Sequence, residues 1–191
     1  MPVELRPIIS ITMDEFAQLG HFGYVSTRKL ECSREETEIP YSYTVRLHLI
    51  DVDPPYVKEE MNDEEDLKRY NQLVTLGYSY GVYVDQKLVA LAIAEPQYWN
   101  NTLLIWHLQV HERHQRKGYG KILIDKMADL ARDNGLRAVT VETQNTNVAA
   151  VQFYMQCGFQ IEGFDLSLYS NNDTRSEEVA LYMRRKIPQH E

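Results

Sequence analysis

Residues 110–121 read VHERHQRKGYGK, and they lie between a predicted β-strand and a predicted α-helix. Gly118 and Gly120 carry no side chain, so successive backbone N–H groups can approach an anion closely at this point. The N-terminus of the following helix adds a partial positive charge. Three basic side chains add full charges: Arg116, Lys117 and Lys121. The stretch therefore predicts a site for a diphosphate that is held mainly by backbone amides.

Two better-known phosphate motifs do not fit this stretch. It has no Gly-x-x-x-x-Gly-Lys-Ser/Thr pattern for a nucleoside triphosphate, and it lacks the third glycine of the dinucleotide-binding fingerprint. Two glycines alone are also typical of an ordinary tight turn between a strand and a helix. The interpretation of the stretch as an anion site therefore depends on a second motif.

The second motif lies in residues 147–159, which read NVAAVQFYMQCGF. A short helix is predicted after Asn147, and Gly158 ends it. Without further information, Tyr154 on such a helix is most often a packed core residue. Cys157 has no neighbouring His and Asp that would activate a nucleophile, and we expect it to be a buried thiol.

Taken together, the two motifs resemble the GNAT superfamily of acyl-CoA-dependent N-acetyltransferases over about residues 103–169. The pattern is Gln115-x-x-Gly118-x-Gly120, then a strand, then Asn147-x-x-Ala150-x-x-Phe153-Tyr154-x-x-x-Gly158-Phe159. A narrower similarity is to the streptothricin acetyltransferase branch. It rests on Glu142-Thr143-Gln144, Asn147, Cys157-Gly158-Phe159, Asp165 and Tyr169.

The fold class expected from the sequence is mixed α/β. The chain of 191 residues, with 43% hydrophobic and 25% charged residues, fits one globular domain spanning 1–191. The resemblance implies a GNAT-like domain with a central, mostly antiparallel twisted sheet flanked by helices. It also implies an N-terminal acceptor-side half, residues 1–100, and an acetyl-CoA-binding half, residues 101–191.

Hydrophobic periodicity predicts the individual elements. Helices are expected within 12–19, 62–77, 119–134 and 148–157, and strands within 24–30, 43–49, 78–84, 88–94, 103–110, 138–143, 159–169 and 179–187. Thr12 and Glu15 have the spacing of a capping box, and Asn62 is a suitable N-cap. Pro54-Pro55 is expected to end the strand at 43–49. Asp85-Gln86 is expected to form a hairpin turn between the strands at 78–84 and 88–94. Residues 1–40 give the weakest signal.

Charge is distributed unevenly along the chain. Of the net charge of −8, the segment 51–66 carries −7, whereas the segment 111–137 carries +3. An acidic protein binds nucleic acid and anionic membranes poorly, so neither is expected as a partner. A monomer or a homodimer is expected.

Localisation is expected to be cytoplasmic. The N-terminus shows no secretory signal, and no apolar run is long enough to span a bilayer. The two cysteines, Cys32 and Cys157, are too few for a disulfide framework. His107, His111 and His114 suggest a metal site at first sight, but they lack supporting carboxylates, and no metal ion is expected.

The resemblance implies acetyl-CoA as co-substrate and direct transfer of the acetyl group to an amine. The cofactor-binding residues that it implies are Leu108, Gln109, Val110, Gln115, Arg116, Lys117, Gly118, Tyr119, Gly120, Lys121, Asn147 and Tyr154. In this interpretation the loop binds the pyrophosphate, and the backbone N–H of Leu108 polarises the thioester carbonyl. Asn147 contacts the cofactor arm, and Tyr154 protonates the departing thiolate.

The sequence leaves three alternatives for the general base. Related enzymes often carry a carboxylate at the strand position that Trp106 occupies here. His107 is adjacent, but strand alternation points it to the opposite face unless a bulge re-aims it. Glu142 is the candidate that we take as catalytic. An ordered water chain to bulk solvent is the third alternative.

The acceptor is expected to be a primary amine on a small cationic substrate, such as a streptothricin- or aminoglycoside-like antibiotic. Four residues are predicted to bind it: Asp51, Asp53, Tyr56 and Trp106. Two alternatives remain, namely acetylation of a protein lysine or N-terminus, and a non-catalytic acyl-CoA-binding sensor.

Overall fold

The structure is a computed structural model that describes residues 2–36, 42–60, 64–171 and 178–188. The α-helices in these residues are α1 (Met13–Gln18), α2 (Glu64–Val74), α3 (Tyr119–Asp133) and α4 (Val148–Gln156). The strands are β1 (Val3–Pro7), β2 (Phe22–Glu36), β3 (Tyr43–Glu60), β4 (Tyr80–Val84), β5 (Lys87–Gln97), β6 (Thr102–Val110), β7 (Ala138–Gln144), β8 (Gln160–Asp165) and β9 (Ala180–Lys186).

Seven strands form a sheet in the order β1-β4-β5-β6-β7-β9-β8, and β2 pairs with β3 in a second sheet. The pairs β1–β4, β4–β5 and β5–β6 are antiparallel, whereas β6 and β7 are parallel. Helix α3 connects β6 to β7, as parallel neighbours require a crossover. The predicted mixed α/β fold is confirmed, and the larger sheet is mixed rather than purely antiparallel.

The chain divides into two compact units. The first comprises Met1–Phe22, Glu59–Val141 and Arg184–Glu191. Its core lies where α1 and α2 pack against β5, with Phe16, Tyr70 and Ile93 among the buried side chains. Helix α3 packs against β4, β5 and β6 and buries Leu123, Ile124 and Met127 completely.

Local signals in the first unit are confirmed. The Thr12 hydroxyl accepts a hydrogen bond from the Glu15 amide at 3.2 Å, and the Glu15 carboxylate accepts one from the Thr12 amide at 2.9 Å. This is the predicted capping box. Asp85 and Gln86 have φ angles of 49° and 67°, as a two-residue hairpin turn between β4 and β5 requires.

The second unit comprises Gly23–Lys58 and Glu142–Met183. Buried Asn145 links three of its segments. The Asn145 side chain donates to the Leu30 carbonyl at 2.9 Å and accepts from the Val179 amide at 2.7 Å. The Asn145 backbone bonds to the same two residues, each at 2.9 Å. Asn145 is therefore a structural residue that the sequence did not single out.

Replacing Asn145 with Ala is expected to lower the free energy of unfolding by about 2–6 kcal/mol, because the buried Val179 amide and the part-buried Leu30 carbonyl each lose a partner, at roughly 1–3 kcal/mol each. Asn134→Ala, at the exposed end of α3, is the control and is expected to cost less than ~1 kcal/mol. Denaturant unfolding measures both. Equal losses in the two variants would show that the Asn145 contacts do not hold the unit together.

Two predictions about strands are wrong or incomplete. Pro54-Pro55 does not end the strand that begins at Tyr43, because β3 continues to Glu60. Strand β3 has only β2 as its neighbour in the described two-stranded sheet, so its unpaired edge tolerates one of the two missing proline N–H groups. Strand β1, five residues at the edge of the larger sheet, was not predicted.

The start of α2 was predicted at Asn62 and Asp63, which lie outside the described residues; the described helix begins at Glu64. Strand β2 is longer than the predicted 24–30 and runs from Phe22 to Glu36. In the described ranges, no helix combines the length and the apolar character that crossing a membrane requires.

Candidate active site

Strand β6 is paired on both edges for only part of its length. Its pairs with β5 extend to Val110, but its pairs with β7 run from Thr102↔Ala138 to Ile105↔Val141. Among the described residues, the segment from Trp106 to Val110 therefore has a strand partner on the β5 side only. Backbone N–H and C=O groups on the other edge can pair with an extended ligand.

A β-bulge interrupts the pairing of β6 with β5 at Trp106. Ile93 lies opposite His107 and Ala94 lies opposite Ile105, so Trp106 is the extra residue on β6. Bulges re-aim side chains and commonly occur next to active sites. The bulge leaves Trp106 39% exposed, with the Arg69 guanidinium 3.7 Å from the centre of its ring.

His107, one of the three alternatives for the general base, is a core residue despite the bulge. Its ring lies 4.3 Å from Phe22 and 5.3 Å from Phe16 and Tyr70, measured between centroids. Burial lowers the pKa of His107 to about 4, although the hydrogen bond with Gln109 acts in the opposite direction. The imidazole is therefore neutral near pH 7 and is enclosed by aromatic rings.

Gln109, predicted to bind the cofactor through its backbone, uses its side chain in the core. Its carboxamide nitrogen donates to the carbonyls of Leu19 and Gly20 at 3.3 and 3.0 Å. Its oxygen lies 3.1 Å from Nε2 of His107, so this nitrogen carries the histidine proton. Leu108 and Val110 lie on either side of Gln109 and are half-buried.

The loop after β6 leads into a helix terminus without a side-chain cap. Gly118 is the N-cap of α3, and no side chain of the described residues caps the first amides of the helix. Its φ of +86° suits glycine and strains other residues. By contrast, α1 and α4 are capped by Thr12 and Asn147. The first turn of α3 has no acidic residue, so its amides are available to an anion.

Basic side chains surround this terminus. Arg116 and Lys117 are exposed and form no ion pair with any described residue. Lys121 is paired with Asp125 at 2.5 Å, and Arg185 lies 2.9 Å from the same carboxylate. Burial alone would raise the pKa of Asp125, but hydrogen bonds from both cations lower it. Gln115 donates to the Val110 carbonyl at 3.2 Å, and Tyr119 and Gly120 form the first turn of α3.

Asn147 has a structural role that leaves part of its side chain unused. Its side-chain oxygen accepts from the Ala150 amide at 3.1 Å and so caps α4. In the described part of the chain its carboxamide nitrogen makes no hydrogen bond, and the residue is half-buried. Asn147 can therefore cap α4 and contact a cofactor at the same time.

Tyr154 of α4 is 7% exposed, and its ring lies 5.4 Å from those of Phe153 and Phe159. The described residues give its hydroxyl no hydrogen-bond partner. Burial, assisted by Cys157 and Glu142, raises the pKa of Tyr154 above its ordinary value. The phenol is therefore protonated throughout the physiological pH range, and its proton is available to an incoming acceptor.

Glu142, the predicted base, already accepts a hydrogen bond. The Tyr169 hydroxyl donates to its carboxylate, and burial together with this bond raises the pKa of Tyr169 strongly. Lys58 lies 5.3 Å from the centre of the Tyr169 ring and forms an ion pair with Glu178 at 2.8 Å. Glu142 thus belongs to a half-buried polar network in the second unit.

The predicted acceptor-side residues Asp51, Asp53 and Tyr56 lie together on β3. They line an open pocket of about 450 Å³ that also contains Lys29 of β2. Both carboxylates are exposed, and the Tyr56 ring stacks on Tyr24 with centroids 6.0 Å apart. Lys29 was not predicted to be there, because only the pairing of β2 with β3 brings it to this pocket.

A carboxylate that the sequence did not single out lies beside Trp106. Glu95 of β5 accepts a hydrogen bond from the Trp106 indole at 2.6 Å. The one sequence signal was an acidic residue at the end of an otherwise apolar strand.

Among the residues that the structure describes, no group of three or more His, Cys, Asp and Glu side chains is arranged to hold a metal ion.

Known proteins resemble this chain in sequence. The family model described as the acetyltransferase (GNAT) family matches residues 43–159. A streptothricin acetyltransferase from Escherichia coli is 32% identical over 128 residues, which are 67% of this chain and 69% of that protein. A streptothricin acetyltransferase from Streptomyces lavendulae is 31% identical over 146 residues, covering 74% and 76% of the two chains.

The fold has a close structural counterpart. A protein from Bacillus anthracis str. Ames, solved in complex with acetyl coenzyme A, matches with a TM-score of 0.73 and 24% sequence identity. The match covers 98% of this chain and 99% of that chain. At this level of identity the likeness shows that the two proteins share a fold.

Proposed function

The chain belongs to the acetyltransferase (GNAT) family, and from this premise we propose that it transfers acetyl from acetyl-CoA to a primary amine of a streptothricin-like antibiotic. Acetyl-CoA is the co-substrate and supplies an activated acetyl thioester. The proposal for the acceptor is supported by the similarity to two streptothricin acetyltransferases. We further propose that the whole chain acts as one N-acetyltransferase domain, with acceptor-side residues in 1–100 and acetyl-CoA-binding residues in 101–191.

One observation carries the cofactor assignment: the open edge of β6 leads within a few residues to the uncapped N-terminus of α3. An extended amide-containing arm fits the first feature, and a pyrophosphate fits the second. In this proposal Leu108, Gln109 and Val110 offer backbone groups to the arm, with the Leu108 N–H directed at the thioester oxygen. The Gln115–Lys121 loop offers its amides and charges to the pyrophosphate.

The second unit supplies the remaining proposed roles. Asn147 directs its carboxamide nitrogen at the cofactor arm. This nitrogen is available because the cap of α4 uses only the side-chain oxygen. Tyr154 donates its proton to the sulfur as the thiol departs. Two properties support this role, namely the raised pKa and the absence of a described hydrogen-bond partner. Glu142 remains a candidate base, although its carboxylate is engaged by Tyr169.

We propose that Asp51 and Asp53 capture a second cationic group of the acceptor rather than the reacting amine. A carboxylate next to the reacting nitrogen would raise its pKa and oppose the loss of its proton. Carboxylates at a distance increase capture without that penalty. The exposed pocket that they line with Tyr56 is of a size suited to one ring or chain of a small polyamine.

The double variant Asp51→Asn with Asp53→Asn is expected to raise KM for a polycationic acceptor roughly fivefold, since two exposed charge pairs contribute about 1 kcal/mol together. The value of kcat should change little. Steady-state kinetics at low and high salt measure this, and raised salt should weaken capture by the parent.

The control for this experiment is Glu64→Gln with Glu65→Gln in the first turn of α2, which removes the same charge from a helix start. Its main expected effect is on helix stability, about 0.3–1 kcal/mol per residue. A KM that is equal in the parent and in the Asp51/Asp53 variant at low salt would contradict the assignment.

The acceptor class is tested by comparing kcat/KM for streptothricin with kcat/KM for a lysine-containing peptide. The proposal predicts the higher value for the antibiotic. An equal or higher kcat/KM for the peptide would contradict the antibiotic as acceptor and would indicate a protein substrate.

A further inference from the structure

The β5–β6 hairpin carries a hydrogen-bonded group of side chains that the cofactor site does not use. Glu95 Oε2 accepts from Trp106 Nε1 at 2.6 Å and from Gln97 Nε2 at 2.9 Å. On its other side, the Trp106 ring is covered by the Arg69 guanidinium, 3.7 Å from the ring centre. The indole is thus held by α2 and by β5, and the indole in turn fixes the carboxylate.

We propose that Glu95 is a catalytic residue that takes the proton from the acceptor amine at Oε1, and that Trp106 is the positioning residue that holds it there. The proposal rests on the proposed acetyl transfer and names the base for it. In this proposal the catalytic carboxylate belongs to β5, which pairs with β6, the strand that carries Trp106.

The orientation of the carboxylate supports this role. Both hydrogen bonds that Glu95 receives from described residues are at Oε2, and Oε1 receives none. A carboxylate offers about four lone-pair sites, so Oε1 keeps full capacity to accept a proton. Glu95 is half-buried, so it is in contact with solvent while its position is fixed.

The position of Glu95 along the sheet also supports it. Glu95 lies opposite Leu104 on β6, four residues before Leu108 and about 13 Å along the strand at 3.3 Å per residue. Its carboxylate extends to the indole of Trp106, which stands two residues before Leu108. On β5, side-chain alternation puts Glu95 on the same face as Ile93, which packs with α1 and α2. Glu95 lies beyond that apolar cluster, towards the end of β5, and β6 has its bulge beside it.

Other described candidates for the base are less suitable. His107 is enclosed by Phe16, Phe22 and Tyr70, so an amine cannot reach it without displacing core rings. The Glu142 carboxylate accepts from the Tyr169 hydroxyl. Glu95 has a fixed carboxylate with one oxygen unused by the described residues.

The proton transfer balances as follows. An N–H bond of the ammonium breaks, its electron pair remains on nitrogen, and an O–H bond forms at Glu95 Oε1. The nitrogen lone pair then forms the new C–N bond to the acetyl carbon, and the C–S bond breaks. The sulfur keeps that electron pair and receives the proton of Tyr154. The acetylated nitrogen loses its second proton to solvent, and solvent returns a proton to the Tyr154 oxygen after Tyr154 has protonated the sulfur. No metal ion, oxidant or reductant is needed.

The test is Glu95→Gln, because the new amide oxygen can still accept from the Trp106 indole but cannot take a proton. We expect kcat for an amine acceptor to fall about 10²-fold at neutral pH. The KM for acetyl-CoA should be unchanged. The deficit should shrink as the pH rises towards the pKa of the acceptor, because more of the amine is already deprotonated.

Two further variants separate chemistry from structure. Trp106→Phe removes the indole N–H but keeps the carboxylate, so we expect a smaller loss, about 10-fold, with the pH profile of the parent. Glu4→Gln on β1 removes a comparably half-exposed carboxylate of the same unit and should not change kcat. Unfolding free energies of all variants are measured, and Glu95→Asp is used if Glu95→Gln does not fold.

Each outcome decides the proposal. A Glu95→Gln kcat within about twofold of the parent, or a deficit that does not vary with pH, would overturn it. The proposed function would survive that result, since the parent still acetylates amines. If the parent binds acetyl-CoA and acetylates no amine, the proposed function fails, and the role of Glu95 fails with it.

Discussion

Replacing Gly118 or Gly120 with Asp is expected to abolish acetyl-CoA binding. Either change places a carboxylate against the amides at the start of α3, where the pyrophosphate is proposed to lie. Gly118 also has a φ of +86°, so a side chain there strains the loop that presents the amides. Repulsion of the anion and loss of the loop geometry act in the same direction. Titration calorimetry with CoA measures the effect directly.

Gly77→Asp is a matched control for Gly118→Asp. Gly77 has a φ of +81°, and a Cβ added at either glycine would meet nothing within 4 Å. The control therefore introduces the same charge and a similar backbone strain after α2 instead of before α3. We expect it to bind CoA like the parent. If both loop variants also bind CoA like the parent, the pyrophosphate does not lie at this helix terminus.

Changing Tyr154 to Phe is expected to lower kcat about 10²-fold or more, the typical contribution of a positioned general acid. The ring remains between Phe153 and Phe159, so packing and acetyl-CoA affinity should persist. Since burial raises the pKa of Tyr154, its protonated form should persist as the pH increases, and Tyr154 should cause no loss of kcat below about pH 10.

Tyr182→Phe is the control for this variant, because it removes the same hydroxyl from a half-buried tyrosine on β9 in the same unit. It should leave kcat unchanged. Turnover of Tyr154→Phe equal to that of the parent would make Tyr154 a packing residue of α4.

Residues whose structure is set by near neighbours could be predicted from the sequence. The capping box of Thr12 and Glu15, the Asp85-Gln86 turn and the glycine at the start of α3 each depend on a few adjacent residues. The motif around Asn147 predicted where α4 begins for the same reason. Such interactions join residues that are only a few positions apart, so the sequence alone reveals their pattern.

Features that depend on strand pairing could not be predicted. The contact of Glu95 with Trp106 requires the β5–β6 register and its bulge. Lys29 reaches the Asp51 pocket only through the pairing of β2 with β3. The open edge of β6 exists because pairing with β7 stops at Ile105. Each is set by residues far apart in sequence, and periodicity carries no information about register.

One measurement tests acetyl transfer to a cationic amine most directly. Purified protein is mixed with acetyl-CoA and a panel of amines that includes streptothricin, and the release of free thiol is followed. We predict thiol release that requires an amine, is fastest with the polycationic antibiotic, and yields the acetylated amine by mass spectrometry. Bound acetyl-CoA that persists without transfer to any amine of the panel would contradict the account and would indicate an acyl-CoA-binding sensor.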